Sequence, residues 1–367
     1  MSTMGWANKL LFSSAITQGA IYVIRPMMTY RALELNATAA TIGFIAAIYA
    51  LFPVLLALTF GRMVGRVGEG RFVIFGTFFI GVSAAILLFA DSLAILAIGA
   101  ALSGLAHLAC MVGGQTMVAL KSPTDKYEEH FGRYTFSASL GQMLGPILAT
   151  LVAGSTGVIP KSTSAAFALA LALSALAMVP VISWRKDAPT VIARKEETGT
   201  LRAASNLLKK PGIFAAVFMS LAISSTADIL VVFLPLFGTE NNFSPYAIGI
   251  ILAIRAGTTM ISRFFLGRLS ARFSTYQLLM VSTTVSVFAC AGMAFAKTPL
   301  TLGAIVFVAG FSLGIGQPLT MSLVSQKTAA NERALAVSAR LMGNRFGQFL
   351  VPAAAGALAA SAGASGV

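Results

Sequence analysis

Apolar stretches long enough to cross a bilayer recur along the whole chain, with no long polar domain between them. A hydrocarbon core of about 30 Å takes roughly 20 apolar residues in each helical span. Only 10% of the residues are charged, whereas soluble domains carry about 25%. The chain is therefore predicted to be an all-α membrane protein embedded in a lipid bilayer. Hydropathy predicts eleven spans, at 10–30, 39–60, 72–90, 93–119, 131–154, 163–184, 212–236, 244–266, 275–296, 299–324 and 334–358.

The net charge of +14 is distributed unevenly between the two sides of the membrane. Basic residues cluster in short loops that fall on one side if the spans alternate, and in the polar stretch 185–210 on that same side. On the opposite side, Arg31, Lys161 and Lys297 balance Glu34, Asp91 and Glu240. This asymmetry predicts a multi-pass protein of the cell membrane with its N-terminus in the cytoplasm. No basic surface interleaved with aromatic residues indicates nucleic-acid binding.

An internal repeat divides the chain into two related halves. Residues of the first half recur 206 positions later, so that both halves start on the same side of the membrane. The arrangement predicted is two parallel repeats related by an axis along the membrane normal. We expect a helix bundle over 1–184, a cytoplasmic linker over 185–210 and a second bundle over 211–367. The matching pairs are Asn36 and Asn242, Ile42 and Ile248, Gly43 and Gly249, Gly61 and Gly267, Arg62 and Arg268, Arg66 and Arg272, Gly104 and Gly310, and the segments Gly141–Pro146 and Gly347–Pro352.

The repeat also predicts a helix that the sequence does not contain. The sixth span, at 163–184, would have its partner at about 369–390, beyond Val367. Two interpretations follow: the sequence is truncated before a twelfth helix, or the protein has eleven helices.

Two motifs carry a resemblance to a known family. The segment after the second span, with Gly61, Arg62, Arg66 and Arg71, resembles the cytoplasmic motif G-x-x-x-D-R-x-G-R-R of the major facilitator superfamily, with Gly65 in place of the acid. The second half retains Gly267, Arg268 and Arg272. In the fifth span, Gly132, Gly141, Gly145 and Pro146 are similar to the motif G-x₈-G-x₃-G-P associated with antiporters of that superfamily.

The resemblance implies a fold of two pseudo-symmetric six-helix bundles. It implies that helices one, four, seven and ten line a central cavity, and that helices two, five, eight and eleven meet between the bundles. Glycines after the second span are expected to allow a tight turn, and those of the fifth span are expected to pack closely between the bundles.

Polar side chains inside the spans are candidates for the substrate and proton pathway, because they are costly in a membrane. Gln18, Tyr22 and Arg25 share one face of the first helix, and the repeat places Ser224 and Asp228 at the positions corresponding to Gln18 and Tyr22. Arg25 and Asp228 are expected at similar depth, where they would form an ion pair. The remaining candidates are His107, Arg255, Gln317, Asn344 and Arg345.

Each candidate also has a structural interpretation. The arginines and Asp228 would either join the two halves by ion pairs or handle substrate and protons. His107 would either form a hydrogen bond between helices or take part in proton coupling. Arg263 is expected to extend to the membrane interface.

The function predicted is secondary active transport of a small molecule by alternating access, coupled to protons through Asp228. Three arginines at mid-depth favour an anionic or amphiphilic substrate. The alternatives are a multidrug or metabolite efflux antiporter and a non-transporting receptor. No nucleophile, metal cluster or carboxylate pair indicates an enzyme, and no phosphate-binding loop indicates ATP. No cofactor or metal is expected, and a monomer is expected.

Overall fold

The computed structural model describes residues 5–123, 127–155, 157–186, 206–328 and 333–367. Across these ranges the chain forms eleven α-helices and two short 3₁₀ turns. Helices α1 to α6 form the first half and α7 to α11 the second half. The helices are α1 (Trp6–Glu34), α2 (Ala39–Val67), α3 (Glu69–Leu88), α4 (Leu93–Lys121), α5 (Tyr127–Ala153), α6 (Thr163–Val181), α7 (Ile213–Glu240), α8 (Pro245–Ser270), α9 (Thr275–Met293), α10 (Pro299–Gln326) and α11 (Arg333–Ala362).

Most of these helices are long and apolar enough to cross a membrane. Among the described residues nine meet both conditions, and these are α2 to α10. Helices α1 and α11 are as long but contain more polar residues. In α1, a continuous run from Thr17 to Tyr30 is buried, because α5 and α6 pack against it. Its polar side chains therefore face protein and not lipid, as the cost of polar groups in hydrocarbon requires.

The turns after α1 and α7 have the same backbone conformation in both halves. Asn36 and Asn242 have φ values of 58° and 59°, and no other described non-glycine residue has a positive φ. Each follows a helix that ends two residues earlier, at Glu34 and Glu240. Asparagine tolerates the left-handed conformation that ends helices at this position. The 206-residue register seen in the sequence is therefore present in the backbone.

Helix packing follows the same register. The backbone of α2 at Tyr49 approaches Gly104 of α4 so closely that a β-carbon there would overlap the Tyr49 carbonyl oxygen. In the second half, a β-carbon at Gly310 of α10 would lie 2.7 Å from the Arg255 carbonyl oxygen of α8. Tyr49 and Arg255 are themselves 206 residues apart. The two glycines thus allow the same close helix contact in both halves.

Short connections alternate between two ends of the bundle. One end contains the α1–α2 and α7–α8 turns and is called the turn end below. The other contains the α2–α3 and α8–α9 turns and the ends of α6 and α7 that flank residues 187–205, and it is called the linker end. Residues 187–205, where most of the predicted linker falls, lie outside the described ranges.

The two halves meet through α2 with α11, α5 with α8, and α1 with α7. The closest contacts lie toward the turn end. A β-carbon at Gly43 of α2 would lie 2.5 Å from the Pro352 carbonyl oxygen of α11, and one at Gly249 of α8 would lie 2.8 Å from the Pro146 carbonyl oxygen of α5. These two contacts correspond under the repeat. Thr29 of α1 adds a 3.0 Å hydrogen bond to the Val232 carbonyl of α7.

Apolar packing shows the same bias toward the turn end. The largest cluster of buried apolar residues contains members of both halves, including Ile42 and Ala149 from the first and Ile248 and Ala355 from the second. Each of the other four clusters among the described residues lies within a single half. The halves are therefore packed together at the turn end.

A glycine of the motif does form the expected turn, but the loop begins later than predicted and three motif glycines do not pack closely. Residues 61–67 do not form a loop, because α2 continues to Val67, and the turn lies at Gly68, whose φ is 103°. A β-carbon at Gly61, Gly132 or Gly267 would meet no atom within 4 Å, so these glycines make no tight contact. Because a helix can continue beyond the membrane without apolar residues, the hydropathy prediction placed the end of α2 too early.

Gly141 and Gly145 do pack tightly, although against a different helix from the one expected. A β-carbon at Gly141 would overlap the Ala15 carbonyl oxygen of α1, and one at Gly145 would lie 2.9 Å from Cβ of Tyr22. Both contacts lie within the first half. Between the halves, α5 instead contributes the Pro146 carbonyl and Thr150, which meet Gly249.

Candidate functional site

A buried ion pair joins the two halves near the middle of α1 and α7. The Arg25 Nη1 atom lies 2.5 Å from Oδ1 of Asp228, and the two side chains are 8% and 14% exposed. The structure thus contains the ion pair expected from the repeat register. A charge at this depth is tolerated when it is paired, and removal of one partner leaves the other buried without compensation.

Tyr49 of α2 adds an aromatic partner to this arginine. The Arg25 guanidinium lies 4.9 Å from the centre of the Tyr49 ring and 5.9 Å from the centre of the Tyr22 ring. Both distances fall within the range in which a cation is attracted by the face of an aromatic ring. A small cavity lined by Arg25, Thr29, Tyr49 and apolar residues of α1, α2 and α7 adjoins Arg25 on its turn-end side.

His107 of α4 connects Tyr49 to α1. Its Nδ1 atom lies 2.7 Å from the Tyr49 hydroxyl, and its Nε2 atom lies 2.9 Å from Nε2 of Gln18. Because an amide nitrogen can only donate, Nε2 of His107 accepts from Gln18, and Nδ1 therefore carries the proton and donates to Tyr49. The structure forms the hydrogen bond between helices considered for His107, while its role in proton coupling stays a prediction.

The second half presents a matching polar group. Nε2 of Gln348 donates to the Ser224 hydroxyl at 3.1 Å, and Nη1 of Arg345 donates to Oε1 of Gln348 at 2.9 Å. In the first half, Nε2 of Gln142 makes a longer 3.5 Å hydrogen bond to Oε1 of Gln18. Gln142 and Gln348 are repeat equivalents. In each half, the glutamine that follows the first glycine of the repeated segment thus bonds to a repeat-equivalent residue. Gln142 bonds to Gln18 of α1, and Gln348 bonds to Ser224 of α7.

Arg345 of α11 interacts electrostatically with Tyr49 and His107 of the first half. Five predicted residues of the first half and of α7, together with Arg345, therefore surround one region between the halves. These residues are Gln18, Tyr22, Arg25, His107, Asp228 and Arg345.

Gln317 and Asn344 belong to a separate network within the second half. Arg340, which is 5% exposed, donates from Nη2 to the Gln317 carbonyl at 2.7 Å and to Oε1 of Gln317 at 2.6 Å. Its guanidinium also reaches the Thr320 hydroxyl. Asn344 accepts a 2.8 Å hydrogen bond from the Ser220 hydroxyl. These two candidates thus hold α7, α10 and α11 together, and in the described part of the chain no hydrogen bond links them to the Arg25–Asp228 pair.

The environment of Arg255 differs from those of Arg345 and Arg340. Arg255 is 5% exposed, and within the described ranges its guanidinium forms no hydrogen bond and no ion pair.

The motif arginines lie at the linker end, in a different environment from the buried arginines. Arg66, Arg71, Arg268 and Arg272 are exposed, and Arg268 lies against the rings of Phe264 and Phe265. The side chain of Arg62 is outside the described part of the chain.

Sequence reasoning missed Tyr49, which joins Arg25 to His107. A single tyrosine in an apolar span attracts little attention, because its ring is compatible with ordinary packing. One signal was available: the 206-residue register pairs Tyr49 with Arg255, a mid-span arginine. In the described part of the chain, no group of three or more His, Cys, Asp or Glu side chains is arranged to hold a metal ion.

Comparison with protein families decides the assignment. The family model described as the Major Facilitator Superfamily matches residues 10–352. The chain belongs to the major facilitator superfamily. This membership places it among membrane transporters and not among enzymes, in agreement with the expectation from its motifs. It also confirms the all-α membrane fold that the sequence predicts.

Curated relatives within the superfamily are named as multidrug transporters. The chain is 26% identical over 216 residues to a multi-drug resistance efflux pump PmrA homologue of Lactococcus lactis, a match that covers 58% of this chain and 52% of the relative. It is 24% identical over 335 residues to the multidrug resistance protein MdtG of Escherichia coli, covering 88% and 80%. A match to MdtG of Yersinia enterocolitica covers 50% of that relative. The chain thus matches about half the length of two of these three relatives.

Solved structures of transporters share the fold. A variant of the nucleoside transporter NupG superimposes with a TM-score of 0.82 at 14% identity, covering 96% of this chain and 91% of that one. A bacterial homologue of the human lysosomal transporter Spinster, in an inward-facing and unoccupied conformation, gives a TM-score of 0.77 at 13% identity, covering 98% and 83%. Identities this low bear on the fold alone.

Proposed function

We propose that this superfamily member is a secondary active transporter that moves a small molecule across the cytoplasmic membrane by alternating access. The observation that carries the proposal is a buried polar site located between two repeat-related halves that are packed together at one end. Under this proposal, residues 1–184 and 211–367 move as two bundles about the site, and residues 185–210 join them in the cytoplasm. With the N-terminus also cytoplasmic, the packed turn end faces outward, and the described state is closed to the outside.

Protons are proposed as the coupling ion, with Asp228 as the group that carries them. In the described state its carboxylate is compensated by Arg25 at 2.5 Å. A substrate that draws the arginine away would leave a buried carboxylate without a partner, and uptake of a proton would remove that cost. Anionic or amphiphilic substrates fit this sequence of events, because they compete with Asp228 for Arg25. The proposed working unit is a monomer.

Reconstitution in liposomes tests this function. Purified protein would be assayed with fluorescent amphiphilic dyes of negative, zero and positive charge, with an imposed proton gradient. We expect saturable accumulation of a dye that depends on the gradient and exchanges with unlabelled dye on the other side. The variant Asp228→Asn should retain exchange and lose the response to the gradient. An unchanged gradient response in Asp228→Asn would remove Asp228 from the coupling role.

A second candidate is efflux of drugs or metabolites by antiport. It is favoured by the fifth-helix residues Gly132, Gly141, Gly145 and Pro146 and by relatives named as efflux pumps. Everted and right-side-out vesicles distinguish the direction, because an antiporter extrudes dye in exchange for entering protons. A non-transporting receptor would bind a dye and show no exchange in either preparation.

A further inference from the structure

Arg255 is a buried cation for which the protein provides no partner among its described residues. Its side chain is 5% exposed, its Nε atom is enclosed without an acceptor, and its guanidinium has no hydrogen bond or ion pair there. A guanidinium remains charged at any pH that a protein experiences. A buried charge without compensation is unfavourable, so a fold that retains one has a reason other than stability.

The contrast with Arg340 shows what a structural arginine requires in this fold. Arg340 is equally buried, and its guanidinium contacts the carbonyl and side-chain oxygens of Gln317 and the Thr320 hydroxyl. Neutral acceptors therefore suffice to accommodate a buried arginine in the second half. None is supplied to Arg255 by the described residues.

The repeat explains why the described residues leave Arg255 without partners. Its equivalent in the first half, Tyr49, contacts Arg25 and His107. Adding 206 to the numbers of these two partners gives Val231 and Leu313, which are buried and apolar. The second half thus places a cation where the first half has a tyrosine, and apolar side chains where the first half has polar ones.

The acids whose partners the structure describes do not compensate Arg255 either. Asp228 is paired with Arg25, and Glu69 with Lys121. Toward the turn end, Glu34 contacts Arg31 and Thr163, and Glu240 accepts from the Ala364 backbone. None of these acids is therefore available to pair with Arg255.

The surroundings of Arg255 belong to the region between the halves. Two residues after Arg255, a β-carbon at Gly257 would lie 3.3 Å from Sδ of Met143 of α5. At the level of Arg255, helix α8 therefore packs against α5 of the first half.

We propose that Arg255 binds the oxyanion headgroup of the substrate. This inference rests on the proposed transport function and identifies its substrates as organic anions. Carboxylate, sulfonate and phosphate groups share the chemistry, because each offers oxygens to the guanidinium fork.

Binding of matched probes to the full chain in lipid nanodiscs tests the proposal. The probes are 2-naphthoate, 2-naphthalenesulfonate and 2-naphthyl phosphate, with the neutral 2-naphthylmethanol as reference, and calorimetry measures each dissociation constant. We expect at least one oxyanion to bind more tightly than the alcohol. In Arg255→Met that oxyanion should bind about ten- to a hundredfold more weakly, with the alcohol unchanged. Arg185→Gln, at the exposed linker end, is the charge-matched control and should bind as the wild type does.

Thermal unfolding of the ligand-free protein distinguishes a substrate-binding role of Arg255 from a structural role. Because Arg255 has no partner to lose among the described residues, the unfolding midpoint of Arg255→Met should equal or exceed that of the wild type. A clearly lowered midpoint would indicate a structural arginine and overturn the proposal. So would equal oxyanion binding by wild type and Arg255→Met, or no preference for any of the oxyanions.

The transport proposal fails by a different result. If no dye exchanges across liposomes while oxyanions still bind through Arg255, the binding site stands and transport does not. If dye exchange persists and oxyanion binding is unaffected by Arg255→Met, the transport proposal stands and the proposed role of Arg255 in binding the oxyanion does not.

Discussion

Arg25 of α1 and Asp228 of α7 form an ion pair 2.5 Å long between the two halves of the protein. Asp228 is the repeat equivalent of Tyr22, whose ring lies 5.9 Å from the same guanidinium. Two repeat-equivalent residues thus flank the same guanidinium, and a movement that separates α1 from α7 would break the pair.

Removal of either member of this pair is expected to be costly. Arg25→Met or Asp228→Leu should each lower the free energy of unfolding by about 3–5 kcal/mol, because the remaining charge stays buried. The double variant should be less destabilised than the sum of the two. Thermal and denaturant unfolding in detergent measure the stabilities of the two single variants and of the double variant. Strict additivity of the two losses in stability would show that the two side chains do not interact in the folded protein.

The hydrogen bonds of His107 provide a second test. His107→Leu should destabilise the protein by about 1–3 kcal/mol, because it leaves Gln18 and the Tyr49 hydroxyl without their buried partner. Tyr49→Phe removes only one of the two bonds and should cost less. If the double variant is as stable as His107→Leu alone, Tyr49 and His107 act as one unit. Full additivity would contradict the contact between them.

Arg340 should behave as a structural arginine. Arg340→Met removes charged hydrogen bonds to Gln317 and Thr320 and should lower stability by about 1.5–3 kcal/mol. Arg255→Met is the matched comparison, since it removes the same side chain at the same burial with no partner lost. Equal destabilisation by the two substitutions would contradict the assignment of different roles.

The contact between Gly43 and Gly356 is expected to control closure of the turn end. A β-carbon at Gly43 would lie 2.6 Å from Cα of Gly356, so Gly43→Ala should disfavour the closed turn end. Gly61→Ala is the matched control in the same helix, where a β-carbon meets nothing within 4 Å. It should be neutral or stabilising by about 0.5–1 kcal/mol, as expected for Gly to Ala in a helix. Labelling of a cysteine placed at Ile45 by a membrane-impermeant reagent measures opening, and equal labelling of both variants would contradict the prediction.

Much of the fold could be predicted from the sequence, because each sequence pattern used reflects a direct physical requirement of the fold. Membrane helices need long apolar stretches, and a repeat preserved at one offset carries the packing of one half into the other. The pairing of Arg25 with Asp228 followed from that offset and from the cost of isolated charge in a membrane. The positions of Asn36 and Asn242 show the same logic in the backbone.

The remaining features depend on contacts that no spacing specifies. The ends of α2 and α8 lie beyond the apolar stretches, so hydropathy alone could not find them. Gly141 was expected between the halves and packs instead on α1, since a small residue indicates a close neighbour without identifying it. Tyr49 was missed because its importance arises from Arg25 and His107, which reach it from two other helices.

Distance measurement between spin labels at both ends tests alternating access most directly. In a Cys110→Ala, Cys290→Ala background, one label pair would replace the exposed repeat equivalents Asp91 and Lys297 at the turn end, and a second pair would replace Arg185 and Tyr276 at the linker end. In nanodiscs, with pH and 2-naphthoate varied, we expect two populations at each end. Conditions that lengthen the turn-end distance should shorten the linker-end distance. A single distance at each end under every condition would contradict the account.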